Sequence, residues 1–194
     1  MNQAPDRSTE PGPGSGPVPS GGIVIFSVIT IALAVLALYS LWAFWPTPVE
    51  TERAALRPQS VSWFGWELSL NREFLFFLVV ALAGALGGLI HTIRSFIWYV
   101  GNRDLRWSWI PYNLLLPLVG ALAGTVFYLV LRAGLFSPST SVEQASPFGF
   151  TAIAILAGLF SPQAFEKLRL IATDIFASAP TGADHVEPEK SDEP

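Results

Sequence analysis

Long apolar stretches separated by short polar segments dominate the chain. Four of them contain no Asp, Glu, Lys or Arg, and they run from Ile23 to Trp45, Phe74 to Ile90, Leu114 to Leu131 and Phe148 to Phe160. A helix needs roughly 20 apolar residues to cross a bilayer core, and it satisfies its own backbone hydrogen bonds in lipid. The pattern therefore predicts an all-α polytopic membrane protein with four transmembrane helices over residues 23–160.

The fourth stretch is short. Ser146 and Pro147 suit the N-cap and the first position of a helix, but only about 14 residues, roughly 21 Å at the helical rise, precede Ser161-Pro162. Three interpretations are open: the helix continues through Pro162 with a kink, it packs inside the bundle as a half-span, or the membrane thins around it. The first is favoured.

Boundary signals indicate where the other helices begin and end. Asn71 is the predicted N-cap of the second helix, and Glu73 lies in its first turn, where the helix dipole favours an acid. Nothing breaks this helix before Gly101-Asn102, a predicted C-cap pair. In the third stretch Pro117 removes an N–H and clashes with the preceding turn, so that helix either begins at Pro117 or bends there.

Residues 161–178 predict a cytoplasmic amphipathic helix. Its apolar face is formed by Phe165, Leu168, Ile171 and Ile175, away from the charged residues. Such a face either rests on the membrane or docks against its copy in a neighbouring subunit, and we interpret it as an assembly helix. The Pro-, Gly- and Ser-rich residues 1–22 predict a disordered leader, and the acidic residues 179–194 predict a disordered tail.

The segment from Pro46 to Glu73 is predicted to be a loop. It contains Trp63 and Trp66, and Trp side chains favour the headgroup level of a membrane. The two rings are therefore interpreted as resting on the membrane surface, with a ligand-binding aromatic patch as the alternative.

Small residues recur at helical spacing within the spans. Gly84 and Gly88 form one small-xxx-small pair, and Gly120 and Gly124 form another. Such pairs let helix backbones approach closely, and in lipid this packing supplies the association energy. Close helix packing is the favoured interpretation, and a narrow pore lined by small residues is the alternative.

Few residues near the spans carry chemistry. His91 suits a gating role or a ligand contact, because imidazole side chains titrate near neutral pH, while an interfacial hydrogen bond is the plainer interpretation. Arg94, Arg103 and Arg106 suit contact with an anionic lipid headgroup or simple anchoring of the topology. His185 lies in the predicted tail and cannot complete a defined metal site.

Composition and motifs exclude several classes of function. The 11 Lys and Arg residues are scattered, which does not fit a nucleic-acid surface, and the lack of Cys excludes disulfides and thiolate metal sites. No phosphate loop, HExxH or nucleophile motif is present, and the spans lack the acids typical of proton-driven transporters. We therefore expect a protein that is not an enzyme and has no cofactor or metal.

Basic residues near the spans indicate the orientation. The positive-inside rule favours a cytoplasmic N-terminus, because six Lys and Arg residues then face the cytoplasm and four face outward. The inside set is Arg7, Arg94, Arg103, Arg106, Lys167 and Arg169, and the outside set is Arg53, Arg57, Arg72 and Arg132. Four crossings then place both termini in the cytoplasm.

The stretch from Gly158 to Phe176 reads GLFSPQAFEKLRLIATDIF. It resembles the ending of uncharacterised bacterial four-span inner-membrane proteins, in which a short last span is followed by an amphipathic helix. The matching positions are Phe160, Ser161, Ala164, Glu166, Lys167, Leu168 and Phe176. Arg94-Ser95-Phe96 and the segment 117–121 (PLVGA) are similar to the same proteins. The resemblance implies a bacterial inner-membrane origin.

These patterns lead to two hypotheses of function. In the first, the chain is a non-enzymatic integral membrane protein that forms a homo-oligomer in the lipid bilayer, with a pore or channel as its candidate role. In the second, it is a membrane scaffold or an accessory subunit of a larger complex, whose protein partner the sequence does not identify.

Overall fold

The computed structural model describes residues 16–47, 57–133 and 147–176. Within these ranges the chain is predominantly helical. The elements are α1 (Ser20–Ala43), β1 (Gln59–Trp63), β2 (Trp66–Leu70), α2 (Arg72–Gly101), α3 (Trp109–Arg132), α4 (Pro147–Leu159) and α5 (Ser161–Phe176). Three helices, α1, α2 and α3, are long and apolar enough to cross a membrane, and α4 with α5 adds a fourth crossing if this bent pair counts as one span.

Helices α2, α3 and α4 pack together as a bundle, and α1 lies at its edge against α2. The buried side chains of α1 form one narrow stripe of Phe26, Thr30, Ala37 and Ser40. Phe26 packs on Phe96 of α2, with 4.8 Å between ring centroids. Most other large side chains of α1 are exposed, as expected for an apolar helix surrounded by lipid.

The residues before α1 are held against the turn between α2 and α3. The N–H of Val18 donates to the carbonyl of Leu105 at 3.0 Å, and the N–H of Trp107 donates to the carbonyl of Gly16 at 3.4 Å. Val18 is also buried among apolar side chains. The structure thus differs from the predicted disordered leader over residues 16–22, because Val18 supplies an apolar anchor. The earlier residues lie outside the described ranges.

A β-hairpin replaces the loop predicted between Pro46 and Glu73, so the described chain is not purely α. Its strands are antiparallel, with Val61 paired to Leu68 and Trp63 to Trp66. The two turn residues, Phe64 and Gly65, have φ angles of 48° and 82°. Positive φ at both central positions is the signature of a type I′ turn, whose twist matches that of the strands.

The hairpin covers one end of the bundle. It shares a buried apolar cluster with α1 and α2, formed by Phe44, Val61, Leu75 and Val79. The indole N–H of Trp63 donates to the hydroxyl of Ser40 at 3.1 Å, whereas Trp66 is 73% exposed. Of the Trp pair predicted to rest on the membrane surface, Trp63 is therefore tied to α1 and Trp66 points outward.

Both predicted ends of α2 are confirmed, because Asn71 is its N-cap and the helix ends at Gly101 with Asn102 as its C-cap. Asn71 caps the helix, with its side-chain oxygen accepting from the N–H of Phe74 at 2.7 Å. At the other end Gly101 remains helical, and the residue with a left-handed backbone is Arg103, at φ 56°. The N–H of Asp104 donates to the carbonyl of Tyr99, which completes a Schellman motif with Arg103 in the place that glycine usually occupies.

Helix α3 is continuous from Trp109 to Arg132 and contains Pro117. The interpretation that this helix begins at Pro117 is therefore wrong. Pro111 lies in the first turn, where a missing N–H breaks no helical hydrogen bond. Pro117 lies further in, so the carbonyl of Asn113, four residues earlier, lacks its helical donor.

The chain turns by 106° between α4 and α5. Helix α4 has 13 residues, about 20 Å, and begins at Pro147 as predicted, while Ser146 lies outside the described ranges. The break falls at Phe160, because Pro162 has no N–H for the carbonyl of Gly158 and its ring would clash with that carbonyl in a continued helix. The favoured interpretation of one kinked helix through Pro162 is therefore wrong.

Helix α4 nevertheless reaches both ends of the apolar part of the bundle. The ring centroid of Phe148 lies 4.8 Å from that of Trp45, beside the hairpin. At the other end the carbonyl oxygen of Leu159 lies 3.3 Å from Nδ1 of His91, and His91 directly follows the apolar stretch that ends at Ile90. The turn into α5 therefore lies at the level where the apolar stretch of α2 ends.

Candidate functional site

Direct backbone contact between three helices forms the centre of the bundle. A Cβ atom at Gly84 of α2 would overlap the carbonyl oxygen of Gly120 on α3. A Cβ atom at Gly158 of α4 would in turn overlap the carbonyl oxygen of Gly84. Gly84 therefore touches both neighbouring helices at once, and this close approach requires a glycine on each of the three helices.

The other two predicted packing glycines lie in the same interfaces. A Cβ atom at Gly88 would come within 2.9 Å of Pro117 Cα, and one at Gly124 within 3.1 Å of Ala154 Cβ. Gly87, which the sequence spacing did not single out, faces α4, where a Cβ atom would lie 2.7 Å from the backbone nitrogen of Leu159. The small-residue faces of the described bundle are thus in mutual contact.

A polar contact lies one turn beyond Gly88, where Thr92 faces α3. The Thr92 hydroxyl oxygen lies 3.0 Å from the carbonyl oxygen of Gly88 and 3.1 Å from that of Asn113. Its single proton is shared between these two acceptors. Because Pro117 leaves the Asn113 carbonyl without its helical donor, Thr92 takes the place of the missing N–H, as polar neighbours do for proline in membrane helices.

The side chain of Asn113 completes this polar cluster. It is 1% exposed, and its amide nitrogen donates to the carbonyl of Trp109 at 2.9 Å. Its amide oxygen has no hydrogen-bond partner among the described residues. A buried acceptor without a donor costs about 1–3 kcal/mol, so this oxygen lowers the stability of an otherwise satisfied cluster.

His91 is half-buried against α4 and does not group with the predicted arginines. A carbonyl only accepts, so the hydrogen bond to Leu159 places a proton on Nδ1 of His91. Leu159 ends α4, and the last carbonyls of a helix lack helical donors. His91 therefore caps α4 from the side of α2, which agrees with the plainer interpretation of an interfacial hydrogen bond.

The three predicted headgroup arginines are exposed at the far end of α2 from the hairpin. Arg94 lies on the helix itself, and Arg103 and Arg106 lie in the turn that follows. Arg106 Nε lies 3.5 Å from a carboxylate oxygen of Asp104, an exposed pair that contributes only about 0–1 kcal/mol. This basic end suits either anchoring or headgroup contact.

An ion pair marks the opposite end of the bundle. Glu73, predicted only as a first-turn acid, pairs with Arg132 at the end of α3. The same guanidinium donates to the hydroxyl of Tyr128 one turn earlier. Sequence analysis counted Arg132 only among the outward-facing basic residues and missed the pairing, which depends on the antiparallel approach of α2 and α3.

The residues of the predicted assembly face point to two different sides of α5. Ala164 is buried and Leu168 and Ile171 are half-buried on one stripe, and Ile171 faces Phe127 of α3 across a groove. Phe165 is exposed, on a separate stripe that also carries Phe176. The side chain of Ile175 lies outside the described set. The predicted face is thus partly covered by the chain itself.

The described residues of the candidate site pack the helices together and satisfy open backbone carbonyls. The described residues contain no group of three or more His, Asp or Glu side chains placed to hold a metal ion. Thr92 and His91 hydrogen-bond to backbone carbonyls of neighbouring helices. Comparison of the chain with protein-family models, with curated proteins and with solved structures gives no match. The resemblance of residues 158–176 to four-span bacterial proteins therefore stays a prediction.

Proposed function

We propose that the protein is a non-enzymatic, multi-pass membrane protein that works as a homo-oligomer, with α5 as the contact between copies. The observation that carries the proposal is the direction of α5, which turns by 106° from α4. Its outer stripe holds Phe165, 41% exposed, and Phe176, 82% exposed. Large side chains of this kind gain roughly 1.5–3 kcal/mol each when fully buried, so this stripe favours an apolar cover.

The charges of α5 favour a second copy over the lipid surface as that cover. Helices that lie on membranes are rich in Lys and Arg on their polar face. Helix α5 instead balances Glu166 and Asp174 against Lys167 and Arg169, and Arg169 pairs with Glu166 at 3.5 Å. A neutral helix gains little from anionic lipid, and two copies of it meet without net repulsion.

The glycine contacts bear on the pore hypothesis. A water-filled path along Gly84 would require α3 and α4 to separate from α2, because their backbones touch there. An ion pathway would therefore run between copies. We place four crossings in a bacterial inner membrane with both termini in the cytoplasm, on the strength of the basic-residue bias and the resemblance of the chain's end.

The test is the mass of the purified chain in lipid nanodiscs. We expect a defined homo-oligomer for the wild type and a monomer with unchanged helical content for Phe165→Ser with Phe176→Ser. The matched control is Leu168→Ser with Ile171→Ser on the inner stripe, which should lower the unfolding temperature because it loosens α5 from α3. Ion flux into liposomes tests the pathway separately.

Two results would reject the proposal. A wild-type monomer that copurifies with other membrane proteins would support the scaffold or accessory-subunit hypothesis instead. An oligomer whose mass survives the outer-stripe change would show that copies meet elsewhere than α5.

A further inference from the structure

We propose that the tip of the hairpin, residues 63–66, enters the lipid bilayer beside α1, with the rings of Phe64 and Trp66 below the level of the phosphates. The occupant of this surface is the leaflet on the hairpin side of the bundle. The proposal rests on the multi-pass insertion of the chain, but it does not rest on the homo-oligomer.

Contacts with α1 determine the depth of the tip. The indole N–H of Trp63 donates to the hydroxyl of Ser40, and the backbone N–H of Phe64 donates to the hydroxyl of Tyr39 at 3.4 Å. Tyr39 lies about 6 Å along the helix axis before Ala43, where α1 ends. The tip therefore lies beside the last turns of an apolar helix and not beyond its end.

The side chain of Trp66 lies on the face of the hairpin that covers the bundle. Cross-strand partners share a face, and the faces alternate along each strand. Trp66 pairs with Trp63 and so shares its face with the buried Val61. Ser62 and Glu67 pair on the opposite face, where both are exposed. The apolar face thus continues at Trp66, 73% exposed, past the edge of the bundle and over the lipid that surrounds α1.

Aromatic rings continue from the tip onto α1. The ring centroid of Tyr39 lies 4.8 Å from that of Phe64 and 6.4 Å from that of Trp42. Phe64 and Trp42 remain 60% and 77% exposed. Trp and Tyr rings favour the level where acyl chains meet headgroups, so lipid is the cover that suits this group of rings.

The backbone of Phe64 supports the same occupant. Its φ of 48° is unfavourable for a bulky residue, and such turns usually place Asn, Asp or Gly there. Burial of the Phe64 ring in lipid offsets this cost, because apolar surface then leaves water. The smaller turn residues offer no such gain.

Spin labels on single cysteines test the proposal in the full chain, which has no Cys of its own. The probe is a liposome of phosphatidylethanolamine and phosphatidylglycerol, in which oxygen reaches labels in lipid and a water-soluble nickel chelate reaches labels in water. We expect Trp66→Cys, which keeps Phe64, and Phe64→Cys, which keeps Trp66, to place the label in lipid. Each label should collide several-fold more often with oxygen than with the chelate, at a depth similar to that of a label at Trp42→Cys.

The matched control is Ser62→Cys on the opposite face of the same hairpin, whose label should collide chiefly with the chelate. A label at Ile31→Cys, in the middle of α1 and 61% exposed, tests the insertion of α1 itself.

The outcomes separate the two proposals. If the label at Ile31 lies in lipid but either tip label collides chiefly with the chelate, the hairpin proposal is wrong and the multi-pass membrane protein stands. If the label at Ile31 also lies in water, both proposals fail. Tip labels shielded from oxygen and chelate alike would show that a second copy or another protein covers the tip, which would overturn the hairpin proposal.

Discussion

The hydroxyl oxygen of Thr92 lies 3.1 Å from the carbonyl oxygen of Asn113, the carbonyl that Pro117 deprives of its helical donor. The next residue towards the hairpin, His91, donates in the same way to the carbonyl of Leu159, which ends α4. Two adjacent side chains of α2 thus satisfy backbone groups left open in both neighbouring helices. Since α2 also contributes the glycines that touch these helices, its residues 84–92 organise the bundle.

The first prediction concerns this replacement hydrogen bond. Thr92→Val keeps the shape of the side chain and removes the donor, leaving the Asn113 carbonyl without a partner. We expect a loss of about 0.5–2 kcal/mol in the free energy of unfolding, the range for such bonds in membrane proteins and for orphaned buried acceptors. Reversible unfolding in mixed detergent micelles measures it.

Pro117→Ala supplies the control for that prediction. It restores an N–H to α3, so the Asn113 carbonyl regains a helical donor and Thr92→Val should then have a smaller effect. A double-mutant cycle isolates this coupling. Additive effects of Thr92→Val and Pro117→Ala would show that the hydroxyl does not replace the missing donor.

The second prediction concerns the glycine contacts. Gly84→Ala places a Cβ atom against the carbonyl oxygen of Gly120, and overpacking of this kind costs about 1–3 kcal/mol. Gly84→Leu and Gly124→Leu should be more damaging still. The matched control is Gly149→Ala in α4, where a Cβ atom would meet nothing within 4 Å and where alanine should stabilise the helix slightly. Equal unfolding temperatures for the two alanine variants would contradict the packing model.

Much of the bundle is predictable from periodicity alone. The apolar lengths identify α1, α2 and α3, and the small-xxx-small spacing identifies Gly84, Gly88, Gly120 and Gly124 as interface positions. Local capping chemistry likewise places Asn71. These features depend on residues close together in the chain, where spacing fixes which side chains share a face.

The hairpin is predictable from signals that the sequence contains. Val61 and Trp63 alternate with serines, and Leu68 and Leu70 alternate with polar residues beyond the turn, which is a strand pattern. The two Trp residues were instead interpreted as resting on the membrane surface. The turn is also hard to predict, because Phe64 occupies a left-handed position where Asn, Asp or Gly is usual.

Contacts between distant segments are not predictable in this way. Pro117 signals that the Asn113 carbonyl is open, but only the approach of α2 shows that Thr92 fills it. Similarly, the amphipathic pattern of α5 identifies its apolar residues, whereas the 106° turn decides that Ile171 faces α3. Both outcomes depend on how helices meet in space.

The third prediction concerns the left-handed residue after α2. Arg103 adopts φ 56°, which costs a residue with a side chain roughly 1–2 kcal/mol relative to glycine. Arg103→Gly removes this cost, but the greater conformational freedom of glycine in the unfolded chain offsets part of the gain in stability. The substitution should therefore stabilise the protein by about 0.5–1 kcal/mol. Asn102→Gly is the control, since Asn102 has a negative φ of −87° and its side chain donates to Trp98. A stabilised Asn102→Gly, or an unchanged Arg103→Gly, would contradict the cap geometry.

The last prediction concerns orientation. The hairpin and the turn after Asn102 lie at opposite ends of α2, a 30-residue helix about 45 Å long, so labels at these two places report opposite sides if α2 spans the membrane. The chain has no Cys, which permits single-cysteine labelling of Ser62→Cys and Asn102→Cys in intact cells with a membrane-impermeant maleimide.

Because the basic-residue bias favours a cytoplasmic N-terminus, we expect Ser62→Cys to label from outside and Asn102→Cys to label only after permeabilisation. A C-terminal fluorescent reporter that matures only in the cytoplasm should be active in the same cells. The reverse labelling pattern would invert the topology, and labelling of both positions from outside would show that α2 does not span.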